Sequence, residues 1–162
     1  MTLSANHDKS LRGHLLSLLT EGNAHISFEG FVKDFPADRC GEQIDGLPYT
    51  AWQVLEHMRI AQRDILEFCR NPKHVSPKWP EGYWPRQNEP GDARRWKKSV
   101  EEFRRDLKEI ESLAIDSQAN LFAPIPHASG QTLLREELLV ADHNSYHLGV
   151  LMVMSRLLSG HT

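Results

Sequence analysis

His143 and His147 stand four residues apart near the end of the chain, within Asp142-His143-Asn144-Ser145-Tyr146-His147-Leu148-Gly149. On an α-helix such residues lie about 40° apart around the axis and about 6 Å apart along it, so both imidazoles face one way. A metal ion takes two neutral imidazoles from one helix in that arrangement. Zinc metalloproteases of this spacing need a glutamate directly after the first histidine; Asn144 stands there, and the protease reading falls on that point. Two histidines on the apolar face of a helix can also satisfy one another in an ordinary core, so the pair alone leaves packing and ligation equally open. Ligation requires a third donor from another element.

The helix carrying the pair is predicted from Thr132, as N-cap, to about Leu158, before Gly160. Glu136 and Glu137 fall in its first turns, where carboxylates suit the helix dipole. Its inward stripe reads Leu139, Val140, His143, Tyr146, His147, Val150, Leu151, Met154 and Leu158. A second strong helix begins after Thr50 and ends at Asn71-Pro72, and His57 lies at the edge of its stripe of Ala51, Val54, Leu55, Met58, Ala61, Ile65, Phe68 and Cys69. His57 is therefore the expected third ligand, with His25 in reserve. Asp92 caps another amphipathic helix running to about Asp116. The first helical pattern spans Asp8 to about Thr20; Gly22-Asn23 interrupts it, and Ala24, Phe28, Phe31, Val32 and Phe35 mark a short piece stopped by Pro36.

Between these helices lie a turn-rich linker from Cys40 to Pro48, a long segment from Asn71 to Pro90 carrying Trp79, Tyr83 and Trp84, and a loop from Ser117 to Gly130 in which His127 is expected to be exposed. The aromatic segment either packs against the helices or lids a pocket. Without any strand pattern the expected fold is all-α, a four-helix bundle with long inter-helix loops, in which sites are built from inward side chains of facing helices.

Composition narrows the function classes. With 162 residues, 40% apolar and 25% charged, the chain fits one globular domain. A net charge of -3 gives no electrostatic reason to expect nucleic acid or an anionic membrane surface as partner. Cys40 and Cys69 have no CxxC spacing, so a disulfide framework is not expected and a reducing cytoplasm is. Met1 to Ser10 has no apolar core of a secretory signal, and Leu148 to Met154, the longest apolar run, is far shorter than the roughly 20 residues that cross a bilayer.

The run Trp52-Gln53-Val54-Leu55-Glu56-His57-Met58, the later Leu133-Leu134-Arg135-Glu136, and Asp142 through Gly149, at this separation, resemble the DinB/YfiT-like superfamily of metal-binding helix bundles over nearly the whole chain. The resemblance implies a single bundle domain over 1–162, of up-down-down-up topology, and a divalent metal held by His57, His143 and His147. It also implies a homodimer. Members often read His-x-Gly-Gln in the last motif, whereas Val150 follows Gly149 here.

Three neutral imidazoles suit zinc or nickel first, and leave a position open to water or a low-molecular-weight thiol. The expected function is a metal-dependent hydrolase or thiol-dependent transferase acting on a small molecule; the alternative is a non-enzymatic metal or small-ligand-binding protein of a stress response. Glu56, Asp142 and Tyr146 are close in sequence to the histidines, and Glu136 shares their helix face, but none is assigned a catalytic role.

Overall fold

The computed structural model describes residues 4–86, 88–89 and 91–160. The start of the segment read for a leader, 1–3, and Pro90 at the end of the expected aromatic loop lie outside them. Among the described residues the fold is all-α: α1 (Ala5–Thr20), α2 (Phe28–Asp34), α3 (Ala51–Arg70), α4 (Ala93–Ile115) and α5 (Leu133–Ser159), with a short 3-10 turn at Ala37–Arg39. The only β-type pairing described is an isolated bridge between Pro124 and Thr132. No described helix is long and apolar enough to cross a membrane.

Each helix begins where a side chain takes over an orphan backbone N–H. Ser4, Ser27, Thr50, Asp92 and Thr132 accept from the backbone amides of His7, Gly30, Gln53, Arg95 and Arg135. At Thr50 the Gln53 side chain reciprocates, closing a capping box. Gly160 ends α5 in the left-handed conformation, φ 68°, where a side chain would be strained. The C-terminal end of α4 is finished from outside: Arg12 of α1, 7% exposed, donates to the carbonyls of Ala114 and Ala119 at 2.9 and 2.6 Å. Its guanidinium thereby meets the negative end of the α4 dipole and anchors α1 on it.

The main core is built by α3, α4 and α5, with Val54, Leu55, Met58, Val100, Phe103, Leu151 and Met154 fully or almost fully buried. Truncating one of these large side chains to alanine costs about 2–5 kcal/mol. The short α2 docks by its rings: Phe28 stacks on Phe103 at 4.1 Å and Phe35 on Trp96 at 4.2 Å, with Glu29 paired to Arg104 at the rim. Polar ties between α3 and α4 recur along the helices, from Trp52 to Ser99, Arg59 to Glu102, Gln62 to the Phe103 carbonyl, Arg63 to Asp106 and Arg70 to Glu109. The Gln62 carbonyl accepts from Asn144 of α5, so one buried amide fixes all three helices.

Several expectations shift by local chemistry. The first helix starts at Ala5 rather than Asp8, because Ser4 caps it, and the short piece starts at Phe28 rather than Ala24, because Ser27 does. The buried face of α5 departs from the expected stripe: Tyr146 is 69% exposed, while Glu136 and Glu137 are 3% and 2% exposed. His127 is exposed, as expected, and its Nε2 donates to the Phe68 carbonyl near the end of α3.

Candidate metal centre

The Thr50 capping box fixes where α3 starts, and from that start His57 points into the contact with α5 at 3% exposure. His143 and His147, one turn apart on α5, meet it from the other side and are partly buried. One ring nitrogen from each of the three histidines lies within 4.8 Å of the other two, close enough for one metal ion to be held by all three. Nε2 of His57 is 3.2 Å from Nε2 of His143. Two nitrogens bound to one tetrahedral ion at roughly 2.05 Å would be about 3.3 Å apart, so this pair already has the spacing of cis ligands.

His57 is held on every side. Its Nδ1 donates to the Tyr83 carbonyl at 2.9 Å, which puts the proton on that nitrogen and leaves Nε2 a bare lone pair facing the other histidines. Trp84 lies flat on its ring, centroids 4.0 Å apart and planes 2° from parallel, and Tyr49 stacks in turn on Trp84 at 5.5 Å. Tyr83 is itself anchored: its hydroxyl donates to Asp64 at 2.6 Å, and the other Asp64 oxygen accepts from His74 at 2.6 Å. Burial, and then the bond to Asp64, pushes the Tyr83 phenol up to about 12. Tyr83 and Trp84 thus pack and serve the site at once, by supplying the acceptor and the ring that orient His57.

Electrostatics favour the ligating form. Burial, followed by the neighbouring imidazoles, pulls His143 and His147 down to about 4. Burial also lowers His57, partly offset by its bond to Tyr83. All three are therefore neutral at neutral pH, the state a cation needs and the state least costly to bury.

A cavity of about 400 Å³ opens on the histidines and is lined as well by Asp64, Trp79, Tyr83, Asp142 and Tyr146. A bound ion would face it. Of the carboxylates singled out in the sequence, Asp142 lines this cavity, whereas Glu56 accepts from Ser99 and pairs with Arg59 in a separate charged cleft. Glu136 pairs with Arg135 beside an adjoining cavity. His25 does not join the triad: it is exposed in the turn before α2, where its Nδ1 donates to the Ile26 carbonyl. The reserve ligand is thereby withdrawn, because the helix expected to carry it inward starts only at Phe28.

Both cysteines are free thiols away from the triad, with burial as the main cause pushing Cys40 up to about 11 and Cys69 to about 12. Asp64, Tyr83 and Trp84 are the site residues the sequence did not single out in these roles. Only the clustering of aromatics in one aperiodic segment pointed to them. No family model, curated protein or solved structure matches the chain.

Proposed function

We propose that this chain is a divalent-metal protein of the DinB/YfiT-like kind, a single helix-bundle domain over 1–162 in which His57, His143 and His147 hold zinc or nickel and the cavity admits a small molecule. The observation that carries the reading is the convergence of three neutral imidazoles from α3 and α5 at one end of a cavity. Support for the up-down-down-up order comes from the side-chain ties: between α3 and α4 the paired numbers rise together, 52 with 99 and 70 with 109, as in parallel helices. Between α3 and α5 they run oppositely, 57 with 143 but 69 beside 136 and 137, as in antiparallel ones.

A bound divalent ion would supply Lewis acidity and acidify water or a thiol at its open position. The chain's own residues do the rest. Tyr83 and Trp84 hold His57 at a fixed angle, and the apolar cavity walls limit water around the reacting groups. Asp142 is the carboxylate at the cavity available to take a released proton, since both Asp64 oxygens are engaged by Tyr83 and His74. The reaction class is hydrolysis of a small ester or amide, or transfer of a low-molecular-weight thiol to a small electrophile. Turnover of thiol conjugates or simple esters by zinc- or nickel-loaded protein, lost in His57→Ala, is the expected result; no turnover across both panels would refute the enzymatic reading.

A second reading, metal or small-ligand binding without turnover in a stress response, is favoured by the same engagement of Asp64, which leaves the site with few free proton acceptors. Tight metal binding with no turnover would select it. We also propose a cytoplasmic homodimer, supported by the free thiols and by exposed apolar side chains one turn apart on α5, Val153 and Leu157. Light scattering is expected to give twice the chain mass, and the chain mass alone would overturn the dimer.

A further inference from the structure

The cavity over the three histidines is chemically one-sided. Ile65 and Leu139 wall it, and Trp79 and Tyr146 stand in its lining although they are 67% and 69% exposed. Two large aromatics left in solvent in the lining of one cavity are unusual for packing and usual for ligand capture. Trp79 comes from the 71–90 segment and Tyr146 from the helix that carries His143 and His147, so the two arise from independent parts of the chain. Trp79 also lies 5.7 Å from the ring of Tyr83, the residue that holds His57.

Charge decides what can lie there. Apart from the histidines, the charged side chains at the cavity are acidic, Asp64 and Asp142, and among the described residues no lysine or arginine lines it. Three neutral imidazoles leave the charge of a divalent ion uncompensated, which draws an anionic head to the metal end. A second negative group further along the same molecule would meet carboxylates and apolar walls with no cation to receive it. The volume, about 400 Å³, sits at the small end of ligand sites, enough for roughly ten to twenty non-hydrogen atoms.

Resting on the metal centre proposed above, we infer that the site takes a small molecule with one metal-seeking anionic head joined to an uncharged aromatic body, seated between Trp79 and Tyr146. The head is a thiolate, carboxylate or hydroxamate; the body stacks on the two rings beside Ile65 and Leu139. Dianionic and purely aliphatic molecules of the same size are rejected or bound weakly.

Hydroxamates test this without knowledge of the natural substrate. Zinc-loaded protein is titrated by calorimetry with benzohydroxamate, acetohydroxamate and 4-carboxybenzohydroxamate, in wild type, Trp79→Ala, Tyr146→Ala and His57→Ala. Wild type should bind benzohydroxamate at least about tenfold more tightly than acetohydroxamate, as expected for two aromatic contacts, and the added carboxylate should remove most of that gain. Trp79→Ala and Tyr146→Ala should each shrink the ratio of the two affinities about threefold or more. His57→Ala should lose all three ligands together with zinc. A ratio that is the same in wild type and both aromatic variants, with zinc retained, overturns the inference and leaves the metal centre standing. Failure of wild type to retain zinc overturns both.

Discussion

Glu137 offers the sharpest physical test of the packing described for α5. Its side chain is 2% exposed, and its Oε2 is buried without a hydrogen-bond partner. Burial alone pushes its carboxyl up from 4.5 to about 8. The folded protein therefore keeps this proton where the unfolded chain gives it up. Between those two values the unfolded state binds fewer protons, so stability falls as pH rises, the reverse of the usual paired carboxylate. At 1.36 kcal/mol per unit the full penalty is about 5 kcal/mol, reached above pH 8 and absent below the ordinary carboxyl value. Glu137→Gln removes the titration and keeps the shape. Comparing pH 5 with pH 8, its stability relative to wild type should rise by about 3–4 kcal/mol, a large share of a typical total of about 5–15 kcal/mol. The assay is urea unfolding of metal-free wild type and variant across that range, with Glu137→Met as an apolar control expected to follow the same trend. Parallel pH profiles for wild type and Glu137→Gln, separated by a constant offset, would refute the reasoning.

Asp64→Ala should leave the helical content intact and weaken zinc binding about tenfold or more in a competition titration, because Tyr83 loses the anchor that holds its carbonyl on His57; unchanged affinity would remove Asp64 and Tyr83 from the site. Proton competition for the metal should begin unusually late. Burial and mutual proximity hold His143 and His147 down at about 4, so zinc affinity should be nearly flat from pH 8 to 6 and fall steeply only on approach to pH 4 to 5. An affinity that falls steeply below pH 7, as for exposed imidazoles of ordinary pKa, would contradict this.

Local signals made most of the helix frame legible. Thr50, Asp92 and Thr132 announced the starts of α3, α4 and α5, and Asn71, Asp116 and Gly160 their ends, because capping is a property of a few adjacent residues. The i, i+4 pair on α5 was readable for the same reason, and His57 followed as the one histidine well inside another strong helix. Ser4 and Ser27 carried the same capping signal, but their helices have weaker stripes and their starts were placed late or early.

What escaped depends on partners far away in sequence. Arg12 is buried and Leu18 is exposed in α1, against the apolar pattern, because the guanidinium finds carbonyls of Ala114 and Ala119. Glu136 and Glu137 read from sequence only as first-turn carboxylates suited to the helix dipole, and their burial follows from how α5 lies on α3. Tyr146 sits three residues from His143 and lines the same cavity, yet it is 69% exposed. The contributions of Asp64, Tyr83 and Trp84 were least accessible of all. They pass through one backbone carbonyl and one stacked ring on a segment with no periodicity, and neither leaves a trace in residue spacing.

The central claim is that His57, His143 and His147 together hold one divalent ion. Elemental analysis of untagged protein, equilibrated with zinc and freed of loosely bound metal, tests it most directly. Wild type should hold about one equivalent, and His57→Ala, His143→Ala and His147→Ala less than about 0.1. Less than about 0.1 equivalent in wild type, with no change on replacing His143, would mean that the three imidazoles only satisfy one another.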